Sequence, residues 1–208
     1  MGNIFRFDSK FGQLLSKIAD CAALSLLWLV FCMPVITAGA ATSALYYTAV
    51  KVLRKDEGSV VKEFWHALKV NFKQSTLALL LALVFCVLWG LICLTAYTYT
   101  ASNLTIAYLV YFLVLGFGVM WLHYLFSYIA RFQDKFTTVL RNSLYICLAN
   151  FPYSLLALTL FAMVLFVVAA TLPQSLWALL VLPGVYGVLV SLILEPVYEK
   201  YLPAEEET

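Results

Sequence analysis

The chain has 208 residues, of which 64% are hydrophobic and 12% are charged, and its formal net charge is +2. An average soluble protein is about half apolar and about a quarter charged, so this composition excludes a water-soluble globular domain. Apolar runs of about 20 residues, separated by charged clusters, predict a polytopic helical membrane protein. We expect residues 1–208 to form a single integral membrane domain with the lipid bilayer as its surroundings and no nucleic-acid partner.

The apolar runs predict six spans in chain order. They lie at about 18–32, 38–54, 75–98, 104–130, 143–170 and 176–194. Pro34 ends the first span, and Thr37 is placed to cap the second helix. The small residues at 38–44 would let neighbouring helix backbones approach closely, which predicts that the second helix lies in a crowded interface. Pro152 is expected to kink the fifth span.

The positions of the charged residues predict the topology. They fall in four segments: the N-terminal lead-in, a first charged loop at about 51–74, a second charged loop at about 131–142, and the C-terminal end with its acidic tail at 199–208. The intervening turns carry no charge, so six crossings put all four segments on one face, which the positive-inside rule assigns to the cytoplasm. The predicted fold is therefore all-α, with six transmembrane helices in three hairpins and both termini cytoplasmic.

The first charged loop carries an amphipathic pattern. Its residues 51–73 hold six of the thirteen Lys and Arg residues. Apolar residues recur at helical spacing, whereas basic residues follow the same rhythm on the opposite face; the apolar set is Val61, Phe64, Trp65, Leu68 and Phe72, and the basic set is Lys62, His66, Lys69 and Lys73. This spacing predicts a helix that lies along the membrane surface, with Ser59 as its N-cap.

A weak internal repeat relates the two charged loops. Residue types of the first loop recur at one constant offset in the second, and together the two loops supply the predicted partner-binding set: Phe64, Trp65, Leu68, Lys69, Phe136, Leu140 and Arg141. Buried apolar anchors with basic residues at the rim are typical of protein interfaces. An alternative stays open, in which the segment only lies among lipid headgroups and each lysine gains about 1 kcal/mol from anionic lipid.

No motif indicates catalysis or metal binding. The chain has no Walker A sequence, no H-E-x-x-H and no paired intramembrane carboxylates. Its five cysteines are scattered through apolar runs without a C-x-x-C, a pattern typical of small buried hydrophobic residues. We therefore expect no enzymatic activity, no catalytic residue, no cofactor and no metal.

Three polar residues are candidates for an intramembrane polar cavity: Thr37, His123 and Asn150. Polar groups at membrane depth are costly and are functional candidates by default. The alternative for His123 is a hydrogen bond to a neighbouring helix. Asn150 would pair with His123 or satisfy backbone groups that Pro152 leaves free. For Glu195, close to the cytoplasmic boundary, an ion pair with a basic neighbour is the ordinary explanation.

Several stretches in the first third of the chain resemble the YesL family of small bacterial membrane proteins. They are Pro34–Tyr47, Phe64–Lys69 with Asn71–Gln74, and the lead-in residues Phe7–Phe11 with Lys17–Asp20. The rest of the chain matches only in length and hydropathy. The resemblance implies the bacterial cytoplasmic membrane and a place beside ABC-type importers of carbohydrates, and it supplies no catalytic residues to carry over.

The leading hypothesis is an accessory membrane subunit or assembly factor of a bacterial carbohydrate (oligosaccharide) ABC importer. It would contact the importer's permease or ATPase subunits through the two charged loops. An independent small-solute transporter or channel, and a membrane sensor or scaffold, remain as alternatives. The substrate and the oligomeric state stay open.

Overall fold

The computed structural model describes residues 10–99, 104–171 and 177–201, which are helical almost throughout and include no strand. This confirms the all-α fold class. The elements are α1 (Lys10–Cys32), α2 (Val35–Thr48), a π-helix (Ala49–Arg54), α3 (Val60–Tyr99), α4 (Leu104–Arg131), α5 (Phe136–Ala149), α6 (Phe151–Thr171) and α7 (Trp177–Glu199).

Five segments of the described chain are long and apolar enough to cross a membrane. They are Leu15–Cys32, Val60–Leu94, Leu109–Arg131, Phe151–Thr171 and Leu180–Glu199. These segments make the chain a multi-pass membrane protein. The predicted second span is not among them, because α2 has only 14 residues before the π-helix begins.

The small residues of α2 are packed tightly, as predicted. A Cβ atom at Gly39 would collide with the backbone oxygen of Ser75 and lie 2.9 Å from Cβ of Leu79, so only glycine allows α2 and α3 to approach this closely. The buried hydroxyls of Ser43 and Ser75 are 2.8 Å apart and form a hydrogen bond between the two helices. The prediction of a crowded interface for the second helix is therefore confirmed.

The start of α2 differs from the prediction. The helix begins at Val35, and the residue at its N-cap is Pro34, which has extended backbone angles and no side-chain cap. Thr37 is already inside the first turn, where its hydroxyl donates to the carbonyls of Phe31 and Pro34. The predicted capping role of Thr37 is wrong, because the fixed φ of proline already sets up an earlier helix start. Thr37 instead ties the tight α1–α2 turn together.

The first charged loop does not form a helix of its own. Its amphipathic part is the beginning of α3, which runs for 40 residues without interruption. No proline occurs between residues 60 and 99. At 1.5 Å per residue, α3 is about 60 Å long, roughly twice the hydrocarbon thickness of a bilayer. One end of α3 must therefore extend well beyond the membrane core.

The second charged loop does contain a separate helix. Helix α5 ends at Ala149. Its C-cap is Asn150, whose φ of −117° and ψ of 46° are not helical, and α6 begins at Phe151. The fifth span thus begins at Phe151 rather than at Ser143. Pro152 lies in the first turn of α6, where its missing N–H is not needed for an intrahelical bond, so the predicted kink is replaced by a break before the proline.

Charged residues from distant parts of the chain lie at one end of the bundle. Lys17 of α1 forms an ion pair with Asp56 in the turn after the π-helix, with 3.1 Å between Nζ and Oδ1. Arg54 donates to the backbone oxygen of Ser191 in α7 at 3.0 Å. These contacts join the beginning of α1, the first charged loop and the end of α7. Which face of the membrane this end occupies stays a prediction.

Candidate functional site

A pocket of about 350 Å³ opens at the charged end of the bundle, between α2 with its π-helix, the end of α4 and the end of α7. We call it the charged pocket. Its lining combines three basic residues, two acidic residues, two tyrosines and two small apolar residues: Tyr46, Tyr47, Val50, Lys51, Lys55, Glu57, Ala130, Arg131 and Glu195.

A buried carboxylate forms the inner wall of the charged pocket. The side chain of Glu195 is 3% exposed. Its Oε2 is 3.3 Å from Nη1 of Arg131, and its Oε1 accepts a hydrogen bond of 3.0 Å from the hydroxyl of Tyr46. The expected ion pair of Glu195 with a basic neighbour is thus confirmed. Because a buried ion pair gains little net stability, its main effect here is to fix α2, α4 and α7 in one arrangement.

Lys51, which lines the pocket, forms a second ion pair with Glu63 of α3. Nζ of Lys51 is 2.9 Å from Oε2 of Glu63 and 3.3 Å from the hydroxyl of Tyr47. The hydrogen bonds to Glu63 and to Tyr47 raise the pKa of Lys51 above its ordinary value. The lysine therefore keeps its positive charge throughout the neutral pH range.

The π-helix determines where the basic residues of this segment point. The backbone N–H of Lys55 bonds to the carbonyl of Val50 at 3.2 Å, which is an i to i+5 bond. The wider turns direct Lys51 towards α3 and Arg54 towards α7. Asp56 then adopts a φ of 57°, in the left-handed region, to close the turn. Short π-helical segments in proteins are rare and occur frequently at functional sites.

The predicted partner-binding residues of the first loop have two different environments. Phe64 is 1% exposed and Leu68 is also buried; Phe64 packs on Phe31 of α1, with 5.8 Å between ring centroids. Their side chains are therefore occupied by contacts within the chain. Trp65 is 45% exposed, and Nζ of Lys69 lies 5.0 Å from the centroid of its ring. Trp65 also packs on Phe31, with 5.5 Å between ring centroids, so Lys69 and the outer part of the Trp65 ring are what the first loop leaves accessible to a partner.

The predicted apolar face of this segment is rotated from the observed one. The buried residues are Val60, Phe64, Ala67, Leu68, Asn71 and Ser75, because α1 and α2 cover that side of α3. Val61 and Phe72 are exposed instead. We call the outward side the basic-aromatic stripe; it consists of Val61, Lys62, Trp65, His66, Lys69, Phe72 and Lys73.

The predicted residues of the second loop lie on α5. Phe136 and Leu140 are half-buried against the hydrophobic cluster of α4 and α7, and Arg141 is exposed. Phe64 and Leu68 belong to a different cluster, built from α1, α2 and α3. The hydrophobic anchors of the two loops thus pack in two separate places. Their partner-binding role stays a prediction, now restricted to the exposed members.

The three intramembrane polar candidates do not come together. Nδ1 of His123 donates to the carbonyl of Val119 at 2.7 Å, and Nε2 pairs with the hydroxyl of Tyr186 in α7. The interpretation of His123 as a bridge to a neighbouring helix is thus confirmed. Among the described residues, neither His123 nor Asn150 nor Thr37 lines the charged pocket.

Asn150 lies at the α5–α6 junction rather than inside a span. Its Nδ2 donates to the carbonyl of Ile146 at 3.1 Å and to the hydroxyl of Tyr201 at 3.0 Å. Neither of its two expected uses is observed: it does not pair with His123, and the carbonyl of Ile146 already accepts the backbone N–H of Asn150, so it is not a group that Pro152 leaves free. The reason is the helix break, which keeps Asn150 with the C-terminal end of α7.

Most residues of the charged pocket could not be predicted from the sequence. Tyr46 and Tyr47 belong to a stretch quoted for the resemblance, and Lys51 and Lys55 belong to the basic cluster, but a π-helix leaves no recognisable sequence pattern. Arg131 and Glu195 are far apart in the sequence, so only the fold brings them together. In the part of the chain that the structure describes, no group of three or more His, Cys, Asp or Glu residues could hold a metal ion.

Comparison with known protein families gives a match in the first half of the chain. Residues 21–92 match the model of a family described as "Protein of unknown function, DUF624", the family that YesL proteins belong to. The match covers about a third of the chain, from α1 into α3, and includes the part of the pocket built from α2 and the π-helix. No curated protein matches the chain, and no solved structure matches it.

Proposed function

We propose that the chain is a YesL-type protein and acts as an accessory membrane subunit or assembly factor of a bacterial carbohydrate ABC importer. The proposed contact with an importer subunit is supported by the basic-aromatic stripe, which lies at the Val60 end of α3. The carbohydrate part comes from the YesL resemblance, and the family match over residues 21–92 supports that resemblance because it includes its two longest stretches.

The stripe has the composition of an interface anchor. Trp65 is a large aromatic side chain that stays accessible although its neighbour Phe64 is buried. The ammonium of Lys69 lies over its ring and holds it in place, so part of the entropy cost of ordering it is met before binding. Tryptophan is enriched among the residues that dominate binding energies at protein interfaces. Trp65 and Lys69 are therefore the proposed contacts to a permease or ATPase subunit, with Arg141 on α5 as a further contact.

The proposal includes six crossings with both termini in the cytoplasm of a bacterium. The α2 helix and the π-helix together run from Val35 to Arg54, and at 1.5 Å per residue they reach about 30 Å. That length matches the hydrocarbon thickness, so the pair serves as the second crossing, with Lys51 and Arg54 at its headgroup end. Cysteines placed at Lys62 and at Lys200 should both react with a membrane-impermeant maleimide only after cells are opened. Labelling of either one in intact cells would contradict this orientation.

The test of the function is co-purification. A tagged chain, extracted gently from native cells grown on a complex glycan, should bring permease and ATPase subunits in stoichiometric amounts. The double variant Trp65→Ala/Lys69→Ala should lose them, because it removes the exposed anchor. It leaves the buried Phe64 in place, although the contact between the rings of Trp65 and Phe31 is lost as well. Phe166→Ala is the matched control, since Phe166 is an exposed aromatic residue on α6, far along the chain from the stripe. A chain that purifies alone, or a complex that survives the double variant, would contradict the proposal.

An independent transporter or channel takes second place. Its candidate residues His123, Asn150 and Thr37 each form hydrogen bonds within the chain and lie in different places. Solute uptake by proteoliposomes that contain this chain alone would establish it. A sensor or scaffold would instead change transcription on deletion while uptake stays the same.

A further inference from the structure

The charged pocket has a surplus of hydrogen-bond donors. Arg131 has five N–H groups, of which Nη1 is used by Glu195. Lys51 has three, of which two are used by Glu63 and Tyr47. Lys55 is exposed at the rim and bonds through its side chain to no described residue. The pocket thus holds three cations whose donors are only partly used.

Acceptors in the pocket are already engaged, with one exception. Both carboxylate oxygens of Glu195 are engaged: Oε1 accepts a hydrogen bond from Tyr46, and Oε2 lies in the ion pair with Arg131. Glu57, which is exposed, is the lining carboxylate whose oxygens bond to no described residue. A ligand that fills this pocket must therefore supply acceptors and negative charge, since an unpaired donor that becomes buried costs more than a paired one gains.

The size of the pocket restricts the ligand further. A volume of about 350 Å³ is at the lower limit for small-molecule sites. A phosphate monoester group presents several acceptor oxygens within a small radius and suits an arginine flanked by lysines. The apolar wall of Val50 and Ala130 leaves room for a short attached group.

We propose that the charged pocket binds a phosphate monoester, held by Arg131, Lys51 and Lys55. This group belongs either to a soluble phosphate compound or to the headgroup of a lipid such as phosphatidic acid, since the pocket is at the end of a membrane bundle. The site is separate from the basic-aromatic stripe, so it stands whether or not the proposed importer contact is correct. The π-helix supports it independently, because it supplies Lys51 and leads directly to Lys55.

The test uses the full chain in nanodiscs of phosphatidylcholine at fixed ionic strength. In the first arm, inorganic phosphate is titrated and its affinity measured by calorimetry. The second arm measures the unfolding temperature of the chain in two kinds of nanodisc. One kind contains phosphatidic acid, and the other carries an equal negative charge in the form of phosphatidylglycerol. Lys55→Gln is the main variant, because Lys55 has no described side-chain partner and its loss should leave the fold intact. Lys62→Gln, an exposed lysine outside the pocket, is the matched control.

Phosphate binding that weakens about tenfold in Lys55→Gln, and is unchanged in Lys62→Gln, would establish the site with a soluble ligand, since one charge-assisted hydrogen bond is worth about this much. A rise in unfolding temperature only with phosphatidic acid, lost in Lys55→Gln, would establish the lipid headgroup as the ligand. The double variant Arg131→Gln/Glu195→Gln, which leaves no buried charge unpaired, should bind in neither arm. Absence of both effects in the wild type, or equal losses in the two lysine variants, overturns the proposal.

Discussion

The helix that begins within the first charged loop continues into the membrane without a break, whereas the helix of the second loop ends after 14 residues. The two segments share residue types at a constant offset, so similar patterns lead to different structures. In the first, Phe64 is fully buried beneath α1 and α2; in the second, Phe136 is only half-buried. Local pattern therefore produces a helix in both places, and neighbouring elements decide what the helix does next.

The ion pairs of the two regions also differ, in how far their side chains are exposed to solvent. Lys51 and Glu63, both in the first charged loop, have side chains that are 33% and 14% exposed. Arg131 and Glu195, where the second loop begins, are 23% and 3% exposed. The second pair is less hydrated, so its loss should be more costly. Four measurements test this contrast between the two regions.

Arg131→Gln should have the greatest effect on stability. Removing the guanidinium leaves the carboxylate of Glu195 buried without its charge partner, which costs about 3 to 5 kcal/mol. The unfolding temperature in detergent or nanodiscs measures it. Glu63→Gln is the comparison from the first pair and should cost about 1 kcal/mol or less, because that pair is partly exposed. Equal losses for the two variants would show that the pairs do not differ as described.

A proline exchange tests why one helix continues and the other breaks. Leu80 in α3 is the position that corresponds to Pro152 when the two loops are aligned at their constant offset. Leu80→Pro should cost about 3 kcal/mol, because it removes an intrahelical hydrogen bond in the middle of α3. Pro152→Ala should change the unfolding free energy by less than about 1 kcal/mol, since a first-turn proline is replaceable. A large loss in Pro152→Ala would mean that the proline, rather than Asn150, determines the break.

A substitution at Gly39 tests whether the close packing of α2 on α3 is required for stability. In Gly39→Ala the added Cβ meets the backbone of Ser75, and overpacking of this kind costs about 1 to 3 kcal/mol. Gly90→Ala is the control within the same helix pair, because a Cβ at Gly90 meets nothing within 4 Å. Equal stability of the two variants by thermal unfolding would show that the close approach is not required.

The last and weakest effect concerns reactivity rather than stability. Cys147 on the inner face of α5 is 1% exposed, and burial raises the pKa of its thiol. Since the thiolate is the reacting form, Cys147 should react with a water-soluble maleimide at about pH 8 at least about tenfold more slowly than a cysteine placed at the exposed Arg141. The comparison needs the other four cysteines replaced by serine or alanine. Similar rates would show that α5 detaches from α4.

The sequence predicted helix content, the small-residue interface and the position of most spans, because these depend on local apolar runs. It wrongly predicted Thr37 as a cap and Asn150 inside a span. The helix start at Pro34 and the break at Asn150 depend on turn geometry, which residue type alone does not determine. The rotation of the buried face around Phe64 followed from the packing of α2, and hydrophobic spacing could not indicate it. Arg131 and Glu195 meet only in the folded chain.

The unbroken length of α3 joins two different environments by one stiff helix. Its first turns are held under α1 and α2 at Val60, Phe64 and Leu68, and the close packing on α2 continues to Ser75, which Gly39 meets. From Ser75 the helix runs on to Tyr99, which is about 36 Å at the rise of an α-helix. Because kinks in helices have local causes such as proline, and no proline occurs here, the packing of the first turns fixes the direction of the whole membrane-spanning part.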